Sequence, residues 1–260
     1  MFNLRLIFAL CGCFGLACGH GYNTQSPAVS GSQVDYRMVR HQKSDALLPR
    51  LVRFRDPAIQ EAVNRQLDSL AGSLLCDTQE IPGGPDYFES TAKVTYAANE
   101  VLSVSVHASY YCGGPYPTND SNRSVTFDLK TGLPVSFEEL FSDYERDAEN
   151  IIRTLYPEHI ARAEYLAATG HDEPSETCDD AFIFSIPHLL ESGFSYALSS
   201  EGLIVQPNFP HVSEACAEEI IAEFSRVRHF AALKGILARV ADAKRRAPNQ
   251  TPAPDGWRRR

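Results

Sequence analysis

Histidine is the first residue type to ask about proton transfer or metal binding, and the eight in this chain are scattered. None forms the His-Glu-x-x-His pair that sets two imidazoles on one helical face. His107 lies between Ser105 and Ser109, the neighbourhood a His-activated nucleophile would need. Strand spacing makes such neighbours common, however, and no Gly-x-Ser-x-Gly elbow accompanies them. For an acid–base site, Asp120 and Asp128 would have to join His107 in one pocket. Glu173, Glu176, Asp179 and Asp180 offer oxygen ligands without the ordered spacing of a calcium loop, so that stretch reads as solvated. Cys76, Cys112, Cys178 and Cys216 contain no close pair, which argues against zinc. No catalytic residue, metal site or cofactor is expected.

Aromatic residues beside Gly/Pro segments give a stronger signal. Tyr87 and Phe88 follow Pro82-Gly83-Gly84-Pro85, while Tyr110, Tyr111 and Tyr116 surround Cys112-Gly113-Gly114-Pro115. Loops that present Tyr suit contacts with sugar or protein. Rings that merely cover the edge of a core have the same pattern. The expected partner-binding set is Tyr87, Phe88, Tyr111 and Tyr116.

The elements that must carry these residues are legible from periodicity. Val34 to Arg40 alternates weakly, as a first strand would. Asp56-Pro57 opens a helix, with Asp as cap and Pro in the first turn, and Ile59, Val63, Leu67, Leu70 and Leu74 supply its apolar face. Strands are predicted over Lys93–Ala97, Val101–Cys112 and Ser124–Leu129, the last ended by a Lys130-Thr131-Gly132 turn. In the second of these, Leu102, Val104, Val106 and Ala108 alternate with Ser103, Ser105, His107 and Ser109, so one face is apolar and the other polar. Ser136 and Glu139 have capping-box spacing. Helical pieces are predicted over Asp147–Tyr156 and Pro157–Ala168, divided by Pro157. Strands are predicted over Ala181–Ile186, Phe194–Ser199, Gly202–Gln206 and Glu219–Phe224, then a helix capped by Ser225 that uses Val227, Phe230, Leu233 and Leu237. This order argues an α+β domain: a largely antiparallel sheet with helices packed on it.

The chain has 24 Lys+Arg and 33 Asp+Glu, a formal net charge of −9. Residues 239–260 hold seven bases and two acids, so the body is more acidic than the total. An acidic body repels nucleic acid and attracts cationic partners. Met1 to Arg5 carry one base, Leu6 to Leu16 are apolar, and Ala17-Cys18 follows, which has the layout of a secretory signal. The run is too short to span a bilayer. Gly15 and Ala17 ahead of Cys18 resemble the bacterial lipoprotein signal, which implies lipidation of Cys18. Leu16 stands two places before that cysteine, where the signal usually has Leu three before. Cys13, with Leu10 and Gly12 ahead of it, is the rival site. Gly19 after Cys18 resembles lipoproteins sorted to an outer membrane. The expected organisation is a signal peptide (1–17), a flexible tether (18–33), one α+β domain (34–242) and a disordered basic tail (243–260).

The four cysteines beyond the anchor, even in number in an exported chain, read as two disulfides. Four cysteines allow three connectivities. The element order favours Cys76–Cys112, beside the two Gly/Pro loops, and Cys178–Cys216, flanking the later hairpin.

One series of segments resembles a known family. Asn99 to Val104, Tyr111-Cys112-Gly113-Gly114, Thr126-Phe127-Asp128-Leu129 with Thr131-Gly132, and Leu140-Phe141 occur in the order seen in a domain of unknown function. That domain is shared by lysozyme-sensing anti-sigma-factor ectodomains and the non-catalytic regions of some cell-wall deacetylases. Ser195 to Val205, with Glu201-Gly202-Leu203 at the turn, resembles its later hairpin. Pro115-Tyr116-Pro117 stands where that family often has a His, so no role of that His carries over. The resemblance implies a non-enzymatic binding or sensing domain in the periplasm, held to the membrane by its lipid. The resemblance names no ligand; the acidic body and the Tyr loops favour a cationic protein such as a lysozyme, or a cell-wall glycan. A cell-wall hydrolase or deacetylase is the alternative.

Overall fold

The computed structural model describes residues 34–42, 46–73, 87–111, 119–170, 178 and 182–246. Among the described residues, nine strands and six helices run in the order β1 (Tyr36–Arg40), β2 (Leu47–Leu51), α1 (Pro57–Ser73), β3 (Tyr87–Ala98), β4 (Val101–Tyr111), β5 (Asn119–Asp128), β6 (Leu133–Pro134), α2 (Tyr144–Leu155), α3 (Pro157–Ala168), α4 (Ile186–Ser192), β7 (Phe194–Leu198), β8 (Gly202–Pro207), β9 (Ile220–Glu223), α5 (Phe224–Val227) and α6 (Ile236–Arg246). The strands form three sheets, β1-β2, β3-β4-β5-β6 and β7-β8-β9, in which every strand pair is antiparallel. The α+β class and the antiparallel sheet are as the sequence implied.

Two apolar cores lie on the two faces of the central sheet. On one face Leu102, Val104, Val106, Ala108, Phe127 and Leu129 pack against Val63, Leu67 and Ala71 of α1 and Leu48 and Leu51 of β2. On the other, Tyr96, Ala98 and Val101 join a larger core with Ile151, Ile152 and Tyr156 and with Leu198, Leu203, Val205 and Leu237. A bulge at Thr95 makes this division possible. Val94 pairs with Val104 and Tyr96 with Ser103, so the bulge switches the alternation of β3: Ala92 and Val94 lie on the side of the first core, Tyr96 and Ala98 on that of the second, and Ala97 returns to the first.

The hairpin between β3 and β4 turns on Asn99 and Glu100, both left-handed at φ 54° and 59°, the conformation of a two-residue primed turn. The end of the polar face nearest this turn is buried under β7. There the Ser103 and Thr126 hydroxyls meet at 2.8 Å, and Ser103 Oγ accepts the Leu198 amide at 2.9 Å. Ser103 and Thr126 are therefore fully buried polar residues with partners. They also satisfy part of the outer edge of β7, which otherwise would be an open pairing edge.

Several expectations need correction. β2 was not expected. Pro49 faces Met38, and the neighbouring bonds Val52 N to Asp35 O and His41 N to Ala46 O put its nitrogen on the side away from β1. Asn64 of α1 then bonds the Leu51 amide and carbonyl, at 2.9 and 3.2 Å, and holds β2 against the helix. The predicted strand Ala181–Ile186 is not formed among its described residues: residues 182–184 are a turn and Ile186 begins α4, because Pro187 fits a first helical turn and Gly193, at φ 67°, closes the helix. The long helix expected after Ser225 breaks into α5, a 3-10 turn over Arg228–Phe230 and the separate α6, and Ser225 lies inside α5 rather than capping it. α6 continues to Arg246, so residues 243–246 of the expected tail are helical. The rest of that tail, with the signal and tether, lies outside the described residues.

Candidate functional site

Tyr87 and Phe88 were expected on a loop. They open β3, and Tyr110 and Tyr111 close β4. The register sets Tyr87 directly opposite Tyr111 and Phe88 opposite Tyr110. Four aromatic residues therefore hold two cross-strand register positions. They lie at the far end of the sheet from the Asn99-Glu100 turn, ten residues along β4 from Val101, roughly 33 Å at strand rise. Tyr87 and Tyr111 hold positions of the polar face, whereas Phe88 and Tyr110 hold positions of the α1 face, so the expected set divides between the two sides of the sheet. Tyr111 is half-buried. Tyr116 lies outside the described residues.

Next to this aromatic end the polar face is open. Its rows across β3, β4 and β5 are Glu89–Ser109–Asp120, Thr91–His107–Asn122 and Lys93–Ser105–Ser124. Glu89, Thr91, Lys93, His107 and Asn122 are exposed. His107 Nδ1 lies 2.8 Å from Asn122 Oδ1, and Ser124 Oγ donates to Ser105 Oγ at 3.3 Å. A one-sided antiparallel sheet carries such a face in any case. What distinguishes this one is the Tyr pair at its end.

The register does not assemble the acid–base group. Asp120 holds the position opposite Ser109, one row from His107. Asp128 pairs with Val101 six residues along the sheet, roughly 20 Å away, and is occupied there. Its Oδ1 accepts the Lys130 amide at 3.0 Å and lies 2.8 Å from Arg239 Nη2. Arg239 Nη2 and Nε make no aligned hydrogen bond among the described residues, so this contact is an ion pair of charges rather than a guanidinium fork. Among the described residues no group of three or more His, Cys, Asp or Glu is placed to hold a metal ion.

Two histidines that sequence reasoning passed over are drawn into an aromatic ladder. His188 sits between Phe182 and Phe209, with ring centroids 4.5 and 5.4 Å away, and its buried Nδ1 has no hydrogen-bond partner among the described residues. His159 lies 4.3 Å from Phe184, and its Nε2 is 2.8 Å from Glu218 Oε2. These rings come from α3, α4 and the segments around β8, and only the tertiary fold joins them. Tyr156, which adjoins them, is structural: its buried hydroxyl donates to the carbonyls of Val205 (3.0 Å) and Glu218 (3.4 Å). Burial pushes its pKa, and that of Tyr196, well above the usual tyrosine range.

Cys178 and Cys216 are joined, with Cα atoms 5.2 Å apart. Cys76 and Cys112, the other expected pair, lie outside the described residues, as does Cys18. Among the described residues no helix is long and apolar enough to cross a membrane.

No family model matches the chain, and no curated protein does. Two solved structures are similar in part. One is described as a member of the DUF3298 family from Bacteroides fragilis; it shares 11% identity at a TM-score of 0.43, over 76% of this chain and 87% of its own. The other is a DUF3298 family protein from Pseudomonas aeruginosa, with 10% identity and a TM-score of 0.37, over 78% of this chain and 96% of its own. Their descriptions name a family and no ligand, and overlap at this level assigns this chain neither family nor activity.

Proposed function

We propose that this is a non-enzymatic binding domain of the cell envelope, tethered through a lipid on Cys18, that takes its partner at the aromatic end of the β3–β4 hairpin. The observation that carries this reading is the strand register, which brings Tyr87 opposite Tyr111 and Phe88 opposite Tyr110. Tyr116 and the proposed Cys76–Cys112 bridge belong to the same end by sequence. Aromatic anchors supply most of the affinity in such contacts, and the acidic body mainly speeds the approach of a cationic partner. A cationic protein such as a lysozyme, or a cell-wall glycan presented beside the Ser-, Asn- and His-bearing face, fits this chemistry.

The test is capture from envelope extract by the immobilised protein, at low and high salt. Tyr111→Ala with Tyr116→Ala is expected to abolish capture and leave the thermal midpoint nearly unchanged. If the double variant still captures its partner, or unfolds, the rings belong to the core. Turnover of peptidoglycan by the purified protein would favour the hydrolase alternative instead.

A further inference from the structure

The β7-β8-β9 sheet has two edges of different character. The edge at β7 meets the central sheet, where Ser103 Oγ takes the Leu198 amide. At β9 no further strand follows among the described residues. The hairpin shows which backbone groups are left over there. Ser199 N donates to Gly202 O at 2.9 Å, so Gly202 and Ile204 aim their peptide groups at β7, while Leu203 and Val205 aim theirs at β9. Their partners are Ala222 and Ile220. Ile221, between those two, therefore has its N–H and C=O directed away from the sheet, and the Glu223 N–H points the same way. Side chains add to this edge. Ile221 lies opposite Ile204, and Ile204 opposite Ala197, an apolar row on the side of the sheet away from the core residues Leu203, Val205 and Ala222. Ile221 is 50% exposed. Alternation puts Glu219 and Glu223 on its side of the strand, and both are exposed. Residues 201–225 hold five Glu and no Lys or Arg. Acids remain in excess when Arg226, held on Thr154 O, and Lys244, held on Glu201 O, are counted with them.

We infer that the β9 edge is a docking site for an extended, basic segment of a partner protein, which adds to the sheet as a fourth strand. In such additions the backbone pairing gives affinity and alternate side chains give specificity. The chemistry of the occupant follows from the row it meets. An apolar residue opposite Ile221 continues the row from Ala197 and Ile204, and Lys or Arg two positions to either side meets Glu219 and Glu223. A second copy of this chain does not fit. Antiparallel pairing about Ile221 would set Glu219 against Glu223 of the second copy, and like charges directly opposite destabilise a strand pair. The strand is short, with Glu223 at its end and Glu219 just before its start, a device against indiscriminate edge pairing that a basic segment relieves. The site is on a different sheet from Tyr87 and Tyr111, so it stands independently of the aromatic end.

The probe is a synthetic peptide, KTKTITKTK, blocked at both ends and titrated into the isotope-labelled whole protein at low salt, with ETETITETE as its control. Amide exchange followed by NMR is expected to slow at Ile221 and Glu223 with the basic peptide only, while Ile220 and Ala222, already paired with β8, change little. Glu219→Lys with Glu223→Lys should weaken binding of the basic peptide by about tenfold or more, since two attractions become repulsions. Ile221→Pro removes the outward N–H without removing a bond to β8, and should abolish the slowing at Glu223. The charge variant keeps every backbone group, so the test stands even if Ile221→Pro loosens β9. An equal response to both peptides, no slowing at Ile221, or undiminished binding by the charge variant overturns the inference. A dimer of the protein alone that protects Ile221 overturns it as well, in favour of a second copy. Tyr111→Ala should leave peptide binding unchanged, so this site is read separately from the aromatic end.

Discussion

Gly132 and Gly202 show what the recognisable motifs of this chain are for. Gly132 ends the Asp-Leu-Lys-Thr-Gly segment at φ 75°, and a Cβ there would lie 3.2 Å from Ile59 Cγ2 on α1. Gly202 meets a harder limit, because a Cβ would fall 2.2 Å from Ala222 O on the neighbouring strand. The segments that resemble a family therefore encode turns and a close strand approach rather than chemistry. Gly202→Ala is expected to separate β9 from β8 and cost at least about 2 kcal/mol, measured by urea denaturation. Tyr156 gives a second prediction at this scale. Burial raises its pKa in the folded state above the unfolded value of about 10, with Tyr196 shifted the same way. The neutral hydroxyls thus stabilise the fold fully below about pH 10, and this contribution is lost as pH rises further. Tyrosinate absorbance from these rings should appear only together with unfolding. Tyr156→Phe should cost about 1–2 kcal/mol at neutral pH by stranding two carbonyl acceptors.

Among the elements, those with a clean period were the legible ones. α1 was readable because Asp56 accepts the Ala58 and Ile59 amides, at 2.9 and 3.3 Å, and its buried Val63, Leu67 and Ala71 recur at helical spacing. The capping box also formed, with the Ser136 amide donating to Glu139 Oε2 at 2.7 Å, though the helix it starts is one 3-10 turn. β2 was hidden by Pro49, and the short β6 (Leu133–Pro134) has no period to read. The stretch before α4 looked like a strand because Ile183 and Phe184 are apolar and β-prone, while the deciding residues, Pro187 and Gly193, act only on the following turn. For the candidate site, the residue types were visible but their face was not, since the Tyr87–Tyr111 pairing depends on register across a hairpin and a bulge. The disulfide belongs to this scale too. Cys178–Cys216 closes 38 residues around α4, β7 and β8, pinning the approach to α4. Cys178→Ser with Cys216→Ser should lower stability by about 2–4 kcal/mol, read as a shift in the urea midpoint without loss of the far-ultraviolet spectrum.

The whole domain is polarised along its central sheet. The β3–β4 turn and Val34, where the described residues of the domain begin, lie at one end, and the aromatic register positions at the other. Capture of a cationic partner at the aromatic end should lose on-rate as salt rises, because exposed charges are screened beyond roughly 8–10 Å near physiological ionic strength. Dissociation, governed by the rings, should change little. Site-specific photo-crosslinking in the living envelope tests the central claim most directly. A photoreactive residue is placed at Tyr111 and, as the control, at Leu133, which is 59% exposed at the turn end. The account predicts one discrete protein or glycan adduct from position 111 and no such adduct from position 133; an adduct from 133 with none from 111 would contradict it.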